Sequence, residues 1–98
     1  MSRVVVRYRV RRDCAELNER LVREVFAALA AVRPAGLAYQ SMVLADGVTF
    51  VHVVDGDGAA LRDLPAFQRF AWSVGERCDD PPEQHRARVL GSFDGRTS

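Results

Sequence analysis

Two neighbouring runs of apolar residues constrain the fold of this chain more than any motif in it. The runs span 37–44 and 48–54, and Ala45-Asp46-Gly47 separates them. Asp-Gly between apolar runs is a strong signal for a β-hairpin, because both central residues of a type I′ turn need a positive φ. The sequence therefore predicts two antiparallel strands joined at Asp46 and Gly47. The predicted cross-strand pairs are Ala45–Val48, Val43–Phe50, Ser41–His52 and Tyr39–Val54.

Both faces of this predicted hairpin are largely apolar. Successive side chains of a strand point to opposite sides, so each run supplies apolar groups to both faces. Val43, Phe50 and Val54 lie on one face, and Met42, Val51 and Val53 lie on the other. An open apolar patch of this kind rarely stays exposed to water. Burial of on the order of several hundred Å² of this apolar face, at about 25 cal/mol per Å², would stabilise whatever assembly covers it by several kcal/mol.

The chain before the hairpin has a strand pattern followed by a helix pattern. Residues 3–11 alternate with a period of two, which predicts a strand. Asp13 with Glu16 three residues later is typical of a helix N-cap, and Pro34 and Gly36 are expected to end the helix. The apolar residues at helical spacing in between are Leu17, Leu21, Val22, Val25, Phe26, Leu29 and Val32.

The chain after the hairpin repeats this pattern in the reverse order. Residues 55–58 predict a loop, and Pro65 suits the first turn of a second helix that runs to about Cys78. The acidic and proline residues at 79–82 are expected to end that helix. Alternation over 84–93 predicts the last strand. The predicted apolar stripe of the second helix is Leu64, Phe67, Phe70, Ala71, Val74 and Cys78.

The order strand, helix, strand, strand, helix, strand is that of the ferredoxin-like split βαβ fold. It predicts one α+β domain over 1–98, with a four-stranded antiparallel sheet in the order 4-1-3-2 and both helices on one face. Two helices cover only one face of such a sheet. We therefore expect a second copy of the chain to cover the other face, which makes the protein a homodimer.

Charge and composition exclude several partners. With 14 basic and 13 acidic residues the net charge is +1, so no general cationic field is present for nucleic acid or a membrane surface. No apolar run approaches the roughly 20 residues of a spanning helix, and no secretory signal is expected. Cys14 and Cys78 are too few for a disulfide framework or a zinc site and indicate a reducing cytoplasm. The basic residues are all Arg and Ile is absent, which is typical of a bacterium with a GC-rich genome.

Several segments of the chain resemble a known group of proteins. They are DGVTFVH at 46–52, LPAFQRF at 64–70, ERC at 76–78 followed by Pro81-Pro82, and GSF at 91–93. Together with the order of elements, they are similar to small proteins of the dimeric α/β-barrel superfamily. The resemblance is to the group related to antibiotic-biosynthesis monooxygenases, in particular to short bacterial members with no assigned function. It spans nearly the whole chain.

The resemblance implies a dimeric α/β barrel that uses no cofactor and holds a small aromatic or polyketide-like ligand between the sheet and the helices. The superfamily also contains cofactor-independent monooxygenases, isomerases, haem-degrading enzymes and members without activity. The haem-degrading branch uses an Asn on the first strand with a Trp and a helical His. Here the first strand has no Asn, and His52 and His85 lie on predicted strands. Three functions stay open: ligand binding without chemistry, cofactor-independent oxygenation or isomerisation, and a structural dimerisation module.

His52 and Arg7 are the candidate catalytic residues. On a central strand beside apolar neighbours, His52 could act as a general base, or it could be a histidine bonded to a neighbouring side chain. Arg7 and Arg9 on the first strand could hold a carboxylate or an enolate through the guanidinium fork. Alternatively, both arginines could pair with acidic groups at the dimer interface.

Arg9, Tyr39 and Trp72 are the candidate ligand-binding residues. The phenols of Tyr8 and Tyr39 could bond a substrate, or they could bury the ring and leave the hydroxyl in water. Trp72 falls off the apolar stripe of the second helix, so it could line a pocket or pack at a subunit contact. No metal-ligand cluster, phosphate loop or nucleophile–base pair is visible, and no metal site is predicted.

The predicted topology also positions the two cysteines. Cys14 precedes the first helix and Cys78 ends the second, and the two helices run antiparallel in this fold. The two thiols should therefore lie at the same end of the helical layer. A required disulfide is not expected, because a reducing cytoplasm disfavours one.

Overall fold

A four-stranded antiparallel sheet is the framework of the protein. The structure, a computed structural model, describes residues 2–96. In chain order its elements are β1 (Ser2–Val10), α1 (Ala15–Val32), β2 (Leu37–Val43), β3 (Thr49–Gly56), α2 (Gly58–Arg62), α3 (Pro65–Trp72), α4 (Val74–Arg77) and β4 (Cys78–Arg88). The strands lie in the order β2-β3-β1-β4, and every neighbouring pair is antiparallel. Read from the other edge, this is the predicted order, so the ferredoxin-like α+β fold is confirmed.

The β2–β3 hairpin has the predicted register but a longer turn. The confirmed cross-strand pairs are Val43–Phe50, Ser41–His52 and Tyr39–Val54. Leu44 donates to the Thr49 carbonyl at 2.8 Å, and the strands separate there. Asp46 does not have the positive φ of a type I′ turn; its carboxylate instead accepts the backbone N–H of Val48 at 2.9 Å. The predicted pair between Ala45 and Val48 and the two-residue turn are therefore wrong, because the aspartate organises a wider loop.

The predicted second helix is divided into two short helices, α3 and α4, and an additional short helix, α2, precedes it. Leu64 is extended, with φ −74° and ψ 127°, and Pro65 then begins α3, because proline is suited to the first helical turn but cannot continue a preceding helix. Ser73 leaves the helical region between α3 and α4. The loop predicted at 55–58 is also wrong, since β3 runs to Gly56 and the Asp57 side chain caps α2 through a backbone N–H at 3.0 Å.

The last strand lies earlier in the chain than predicted. β4 begins at Cys78 and contains Pro81 and Pro82, whereas the alternation predicts a strand over 84–93. A proline lacks the N–H that a central strand needs, but it is tolerated on an edge strand such as this one. Between Arg7 and Arg9 of β1 the pairing with β4 shifts register, so the proline-containing part of β4 bulges out of the ladder.

α1 begins after a short turn and not at the predicted cap. Arg12–Cys14 form one turn of 3₁₀-helix, and α1 follows from Ala15. Asp13 makes no capping hydrogen bond; its carboxylate lies 3.4 Å from the guanidinium of Arg11. At the other end, Arg33 adopts the left-handed conformation, with φ 51°, and closes the helix before the predicted Pro-Gly stop.

The hydrophobic core lies between the sheet and the helices. α1 buries Val22 and Val25 in it, together with the polar Asn18. Leu17 and Val32, predicted as members of the same stripe, are 37% and 60% exposed, because the buried face of α1 passes through Asn18 instead. The remaining buried apolar residues are Tyr8, Val10, Val48, Phe50, Leu61, Leu64, Ala66 and Phe70.

The opposite face of the sheet is apolar at its centre and charged at its border. Val5 pairs with Val53, and Val51 lies beside them opposite Arg7. None of the three valines belongs to the core between sheet and helices. The prediction that the sheet has apolar residues on both faces is therefore confirmed. Ion pairs on this open face include Arg3–Asp55 at 3.4 Å and Arg7–Asp80 at 3.9 Å.

Cys14 and Cys78 lie at the same end of the helical layer, as the topology predicts. The Arg11 side chain donates to the Cys14 sulfur at 3.1 Å, and the Arg11 backbone N–H donates to the carbonyl of Arg77, next to Cys78, at 2.8 Å. Both thiols are free. Burial raises the pKa of the Cys78 thiol, which keeps it protonated at neutral pH.

Residues 2–96 contain no helix that is long and apolar enough to cross a membrane. Within the same part of the chain, no three His, Cys, Asp or Glu side chains are grouped so that they could hold a metal ion.

Candidate functional site

A buried histidine between two tyrosine hydroxyls is the polar centre of the core. His52 is only 4% exposed. Its Nε2 atom lies 2.8 Å from the hydroxyl of Tyr8, and its Nδ1 atom lies 2.5 Å from the hydroxyl of Tyr39. Both ring nitrogens are occupied by protein groups. A ligand would therefore bond to a tyrosine hydroxyl and not to the histidine ring.

Three adjacent strands bring these side chains together. His52 on β3 lies opposite Ser41 of β2 on one side and Val6 of β1 on the other. Tyr39 and Tyr8 are each two residues from those partners and so share their face of the sheet. Diagonal neighbours of this kind are within reach of aromatic side chains. The hairpin register and the alternation of β1 thus place both hydroxyls against the histidine.

Asn18 and Arg77 extend the hydrogen bonds beyond Tyr8. The Asn18 amide nitrogen donates to the Tyr8 hydroxyl at 2.9 Å, and Arg77 Nε donates to the Asn18 amide oxygen at 3.0 Å. Arg77 is 3% exposed, and its other nitrogens donate to the Ser73 hydroxyl at 2.9 Å and the Phe70 carbonyl at 2.8 Å. All these acceptors are neutral. We call the series Arg77–Asn18–Tyr8–His52–Tyr39 the core chain.

We assign one direction to the core chain, because its first member can only donate and because His52 Nε2 is the only acceptor that the described residues offer to the Tyr8 proton. A guanidinium has no acceptor atom, so Arg77 donates to the Asn18 oxygen and the Asn18 nitrogen donates to Tyr8. The Tyr8 hydroxyl then gives its own proton to His52 Nε2. His52 consequently carries its proton on Nδ1 and donates it to Tyr39. The O–H of Tyr39 is left to point to an acceptor outside the core chain.

The titratable groups of the core chain are uncharged at neutral pH, apart from Arg77. Burial lowers the pKa of His52 from 6.5 to about 4, since a low-dielectric interior disfavours the charged form. Burial also raises the pKa of the Tyr8 and Tyr39 hydroxyls above their usual value of 10.0. Each of these three side chains therefore holds one exchangeable proton at pH 7.

Two cavities lie along the groove between α1 and β2, on either side of Phe26. Their volumes are about 470 and 460 Å³, within the range of small-molecule sites. Tyr39 forms part of the wall of the second cavity, beside Leu29 and Leu37. Phe26 lines both cavities and stacks on Tyr39, with ring centroids 4.9 Å apart and ring planes 4° apart. The last member of the core chain thus borders a space of ligand size.

The structure brings together two of the predicted site residues, His52 and Tyr39. Arg7 and Arg9 are exposed on the open face of the sheet, because β1 alternates and Tyr8 takes the helix-facing side between them. Trp72 is 91% exposed at the end of α3 and borders a separate surface pocket. Within one chain, these three residues therefore do not share a pocket with His52.

Asn18 and Arg77 are the site residues that sequence reasoning missed. Asn18 precedes Val22 by four residues and Val25 by seven, so it is a polar residue on the buried stripe of α1. That position is a signal, because a polar group among core positions needs a partner there. Arg77 carries no comparable signal, since an arginine just before an acidic segment is ordinarily a surface residue.

The fold that carries this site is the fold of antibiotic biosynthesis monooxygenase-like proteins. One solved structure described as an antibiotic biosynthesis monooxygenase superimposes with a TM-score of 0.70 and 18% identity, over 93% of this chain and 100% of that one. SnoaB, a cofactor-independent oxygenase from Streptomyces nogalater, gives 0.66 and 18%, over 94% and 95%. A protein of unknown function from Nitrosomonas europaea gives 0.68 and 13%, over 98% and 95%.

These likenesses confirm the resemblance seen in the sequence at the level of the fold. Their identities of 13% to 18% show the architecture alone. No family model matches the chain, and no curated protein matches it. The function must therefore be argued from the site itself.

Proposed function

We propose that this protein binds a small aromatic or polyketide-like ligand in the groove between α1 and β2, beside Tyr39. The observation that carries the proposal is an oriented hydrogen-bond chain that ends at the wall of a cavity of about 460 Å³. Phe26, Leu29 and Leu37 supply the apolar part of that wall, and Arg33 adds a second polar side chain to it. Apolar side chains with a small number of placed polar groups are the usual lining of a small-molecule site. We place this binding in the cytoplasm, in keeping with the free thiols.

Cofactor-independent oxygenation or isomerisation is the second candidate function. It is supported by the exchangeable protons of Tyr8, His52 and Tyr39 and by the fold shared with a cofactor-independent oxygenase. Such chemistry begins when a base removes a proton from the substrate. Tyr39, the member of the core chain that borders the cavity, presents a donor whose pKa is raised. The core chain therefore favours ligand binding over proton removal. A purely structural module would need no oriented donor beside a cavity.

Filling the second cavity is expected to abolish ligand binding. Ala30 is exposed and lines this cavity, so Ala30→Phe would occupy the space without removing any core contact. Ala27 is also an exposed alanine of α1 but lines neither cavity, which makes Ala27→Phe the matched control. The measurement is a thermal-shift titration with anthrones, quinols and phenolic acids. A ligand at 100 times its Kd stabilises the folded state by about 2.7 kcal/mol.

The expected result is a shift in the wild type and in Ala27→Phe that is lost in Ala30→Phe. An equal shift in all three proteins would place the ligand elsewhere. The absence of any shift with these compounds would contradict the proposed ligand class.

We further propose that a second copy of the chain covers the open face of the sheet, so that the protein is a homodimer. The centre of this face is formed by Val5, Val51 and Val53, which lie outside the core that residues 2–96 form between the sheet and the helices. Its border carries both arginines and carboxylates, including Arg7 and Asp80. A surface with both signs of charge can be complementary to itself across a two-fold axis.

Analytical ultracentrifugation at micromolar concentration is expected to show a dimer of the wild type. Val51→Glu places a charge at the centre of the open face and is expected to give a monomer. Ala27→Glu, on the exposed side of α1, should leave the dimer intact. The dimer proposal is wrong if the wild type sediments as a monomer at this concentration.

A further inference from the structure

Arg77 is a buried cation whose hydrogen bonds all go to neutral acceptors. Arg77 Nε, Nη1 and Nη2 donate to the Asn18 amide, the Ser73 hydroxyl and the Phe70 carbonyl. Within residues 2–96 no carboxylate lies in ion-pair distance of this guanidinium. A buried charge that lacks a counter-charge costs stability. Arg77 is the first member of the core chain, at the end farthest from Tyr39. This position indicates a role beyond packing.

Arg77 removes the ambiguity that a hydroxyl–imidazole–hydroxyl series would otherwise have. A neutral imidazole can carry its proton on either nitrogen, and each hydroxyl can rotate to donate either way. Arg77 fixes the Asn18 amide as the donor to Tyr8, and within residues 2–96 only His52 Nε2 can then accept the Tyr8 proton, so the later members of the core chain are fixed as well. The effect reaches Tyr39, which lies on the far side of His52.

We infer that Arg77 and Asn18 are positioning residues that set Tyr39 as a donor, so that the site selects ligands presenting an acceptor oxygen such as an aryl ketone. A ligand that offers only an N–H would leave the O–H of Tyr39 without an acceptor, so it would make one hydrogen bond fewer than a ligand with an acceptor oxygen. This inference rests on the proposed ligand site beside Tyr39. It adds the chemical class of the ligand group and identifies the residues that determine it.

A single isosteric change is expected to reverse the core chain. Asn18→Asp replaces the amide donor by a carboxylate oxygen, which can only accept when ionised. Tyr8 would then donate to the carboxylate and accept from His52 Nε2, so the imidazole proton moves from Nδ1 to Nε2. Tyr39 would donate to His52 Nδ1 and present a lone pair to the cavity. Because the carboxylate also supplies a counter-charge for Arg77, this variant is expected to fold.

The tautomer of His52 is the first readout, and it needs no ligand. Long-range ¹⁵N–¹H correlation spectra at pH 7 distinguish an imidazole protonated at Nδ1 from one protonated at Nε2. We expect Nδ1–H in the wild type and Nε2–H in Asn18→Asp. The control is Asn18→Asp in a Tyr8→Phe background, where the link between Asn18 and His52 is cut and the substitution should not change the tautomer.

The second readout is ligand preference, measured with two bicyclic probes of similar size. 1-Tetralone has only an acceptor oxygen, and indole has only an N–H donor. The wild type is expected to bind 1-tetralone about tenfold more tightly than indole, and Asn18→Asp is expected to reverse this order, because one hydrogen bond is gained or lost.

Each outcome is distinguishable from failure of the proposed function. Nε2–H in the wild type, or an unchanged tautomer in Asn18→Asp, would overturn the role of Arg77 and Asn18. A changed tautomer with an unchanged probe preference would overturn the selection of acceptor ligands. If neither probe binds the wild type while the tautomer changes as expected, the ligand site beside Tyr39 is wrong and the orientation of the core chain is supported.

Discussion

Lowering the pH from 7 to 5 is expected to lower the free energy of unfolding by about 2 kcal/mol, mainly through His52. Burial lowers the pKa of this histidine from 6.5 to about 4 in the folded protein, whereas the unfolded chain keeps the ordinary value. Between these two values the unfolded state binds a proton that the folded state does not, so stability falls as the pH falls. The whole contribution, about 3 kcal/mol, is present above the unfolded pKa and is lost as the pH falls through the folded pKa.

His52→Gln tests this prediction, because it removes the buried imidazole and keeps a polar side chain. Urea denaturation at a series of pH values should show that His52→Gln removes at least half of the decline between pH 7 and 5. An undiminished decline in His52→Gln would show that the imidazole is not held neutral by the fold.

Asp46 affects stability in a separate, more acid range. Its hydrogen bonds from the hydroxyl and backbone of Thr49 and the backbone of Val48 lower its pKa from 3.8 to about 2. Its contribution is present above the ordinary carboxyl pKa and is lost only as the pH falls toward 2. The decline between pH 7 and 5 therefore reports on histidine and not on this turn.

The sheet could be predicted from the sequence because the patterns that indicate its strands and its hairpin lie between residues close together in the chain. The period of two assigns each side chain to a face, and the Asp46-Gly47 turn sets the register of the hairpin. The assignment of side chains to faces and the register are both correct although the predicted turn type is wrong, because Leu44 and Thr49 continue the same pairing. The meeting of Tyr39 with His52 follows from that register. This half of the core chain was therefore within reach of sequence reasoning.

The breaks in the second helical region and the start of β4 were not predictable in the same way. Phe67, Phe70 and Val74 keep helical spacing even though the chain leaves the helical region at Ser73. Periodicity reports which side faces the core and not whether the helix is continuous. The two prolines indicate a helix stop, and their place within a strand becomes acceptable only because β4 forms an edge of the assembled sheet.

The part of the core chain from Arg77 to His52 depends on contacts between segments that are distant in the sequence. Arg77 and Asn18 are 59 residues apart in the sequence, and Tyr8 and His52 are 44 apart. No local pattern links such pairs. Arg77 meets Asn18 only when the end of α4 packs beside the start of α1, and Tyr8 meets His52 only when β1 pairs with β3. The polar residue on the α1 stripe indicates that some partner exists, but the identity of that partner depends on the tertiary structure.

Tyr8→Phe is expected to lower the free energy of unfolding by about 3 kcal/mol, and Tyr39→Phe by about 1 kcal/mol. Both changes remove one hydroxyl and keep the aromatic ring. Loss of the Tyr8 hydroxyl leaves two buried groups without partners, the Asn18 amide nitrogen and His52 Nε2. Loss of the Tyr39 hydroxyl leaves only His52 Nδ1 without a partner, and it does so next to the groove, where water can replace the hydroxyl.

The same pair of variants separates stability from ligand binding. Urea denaturation at pH 7 measures the stability of each variant, and titration with 1-tetralone measures binding under the same conditions. Tyr39→Phe removes the donor itself, so it should weaken binding about tenfold while costing little stability. Tyr8→Phe should cost more stability but leave a hydroxyl at the cavity wall, so its loss of binding should be smaller. If the two variants lose equal stability, the Tyr8 hydroxyl does not join two buried partners. If Tyr39→Phe binds as the wild type does, its hydroxyl is not the group that meets the ligand.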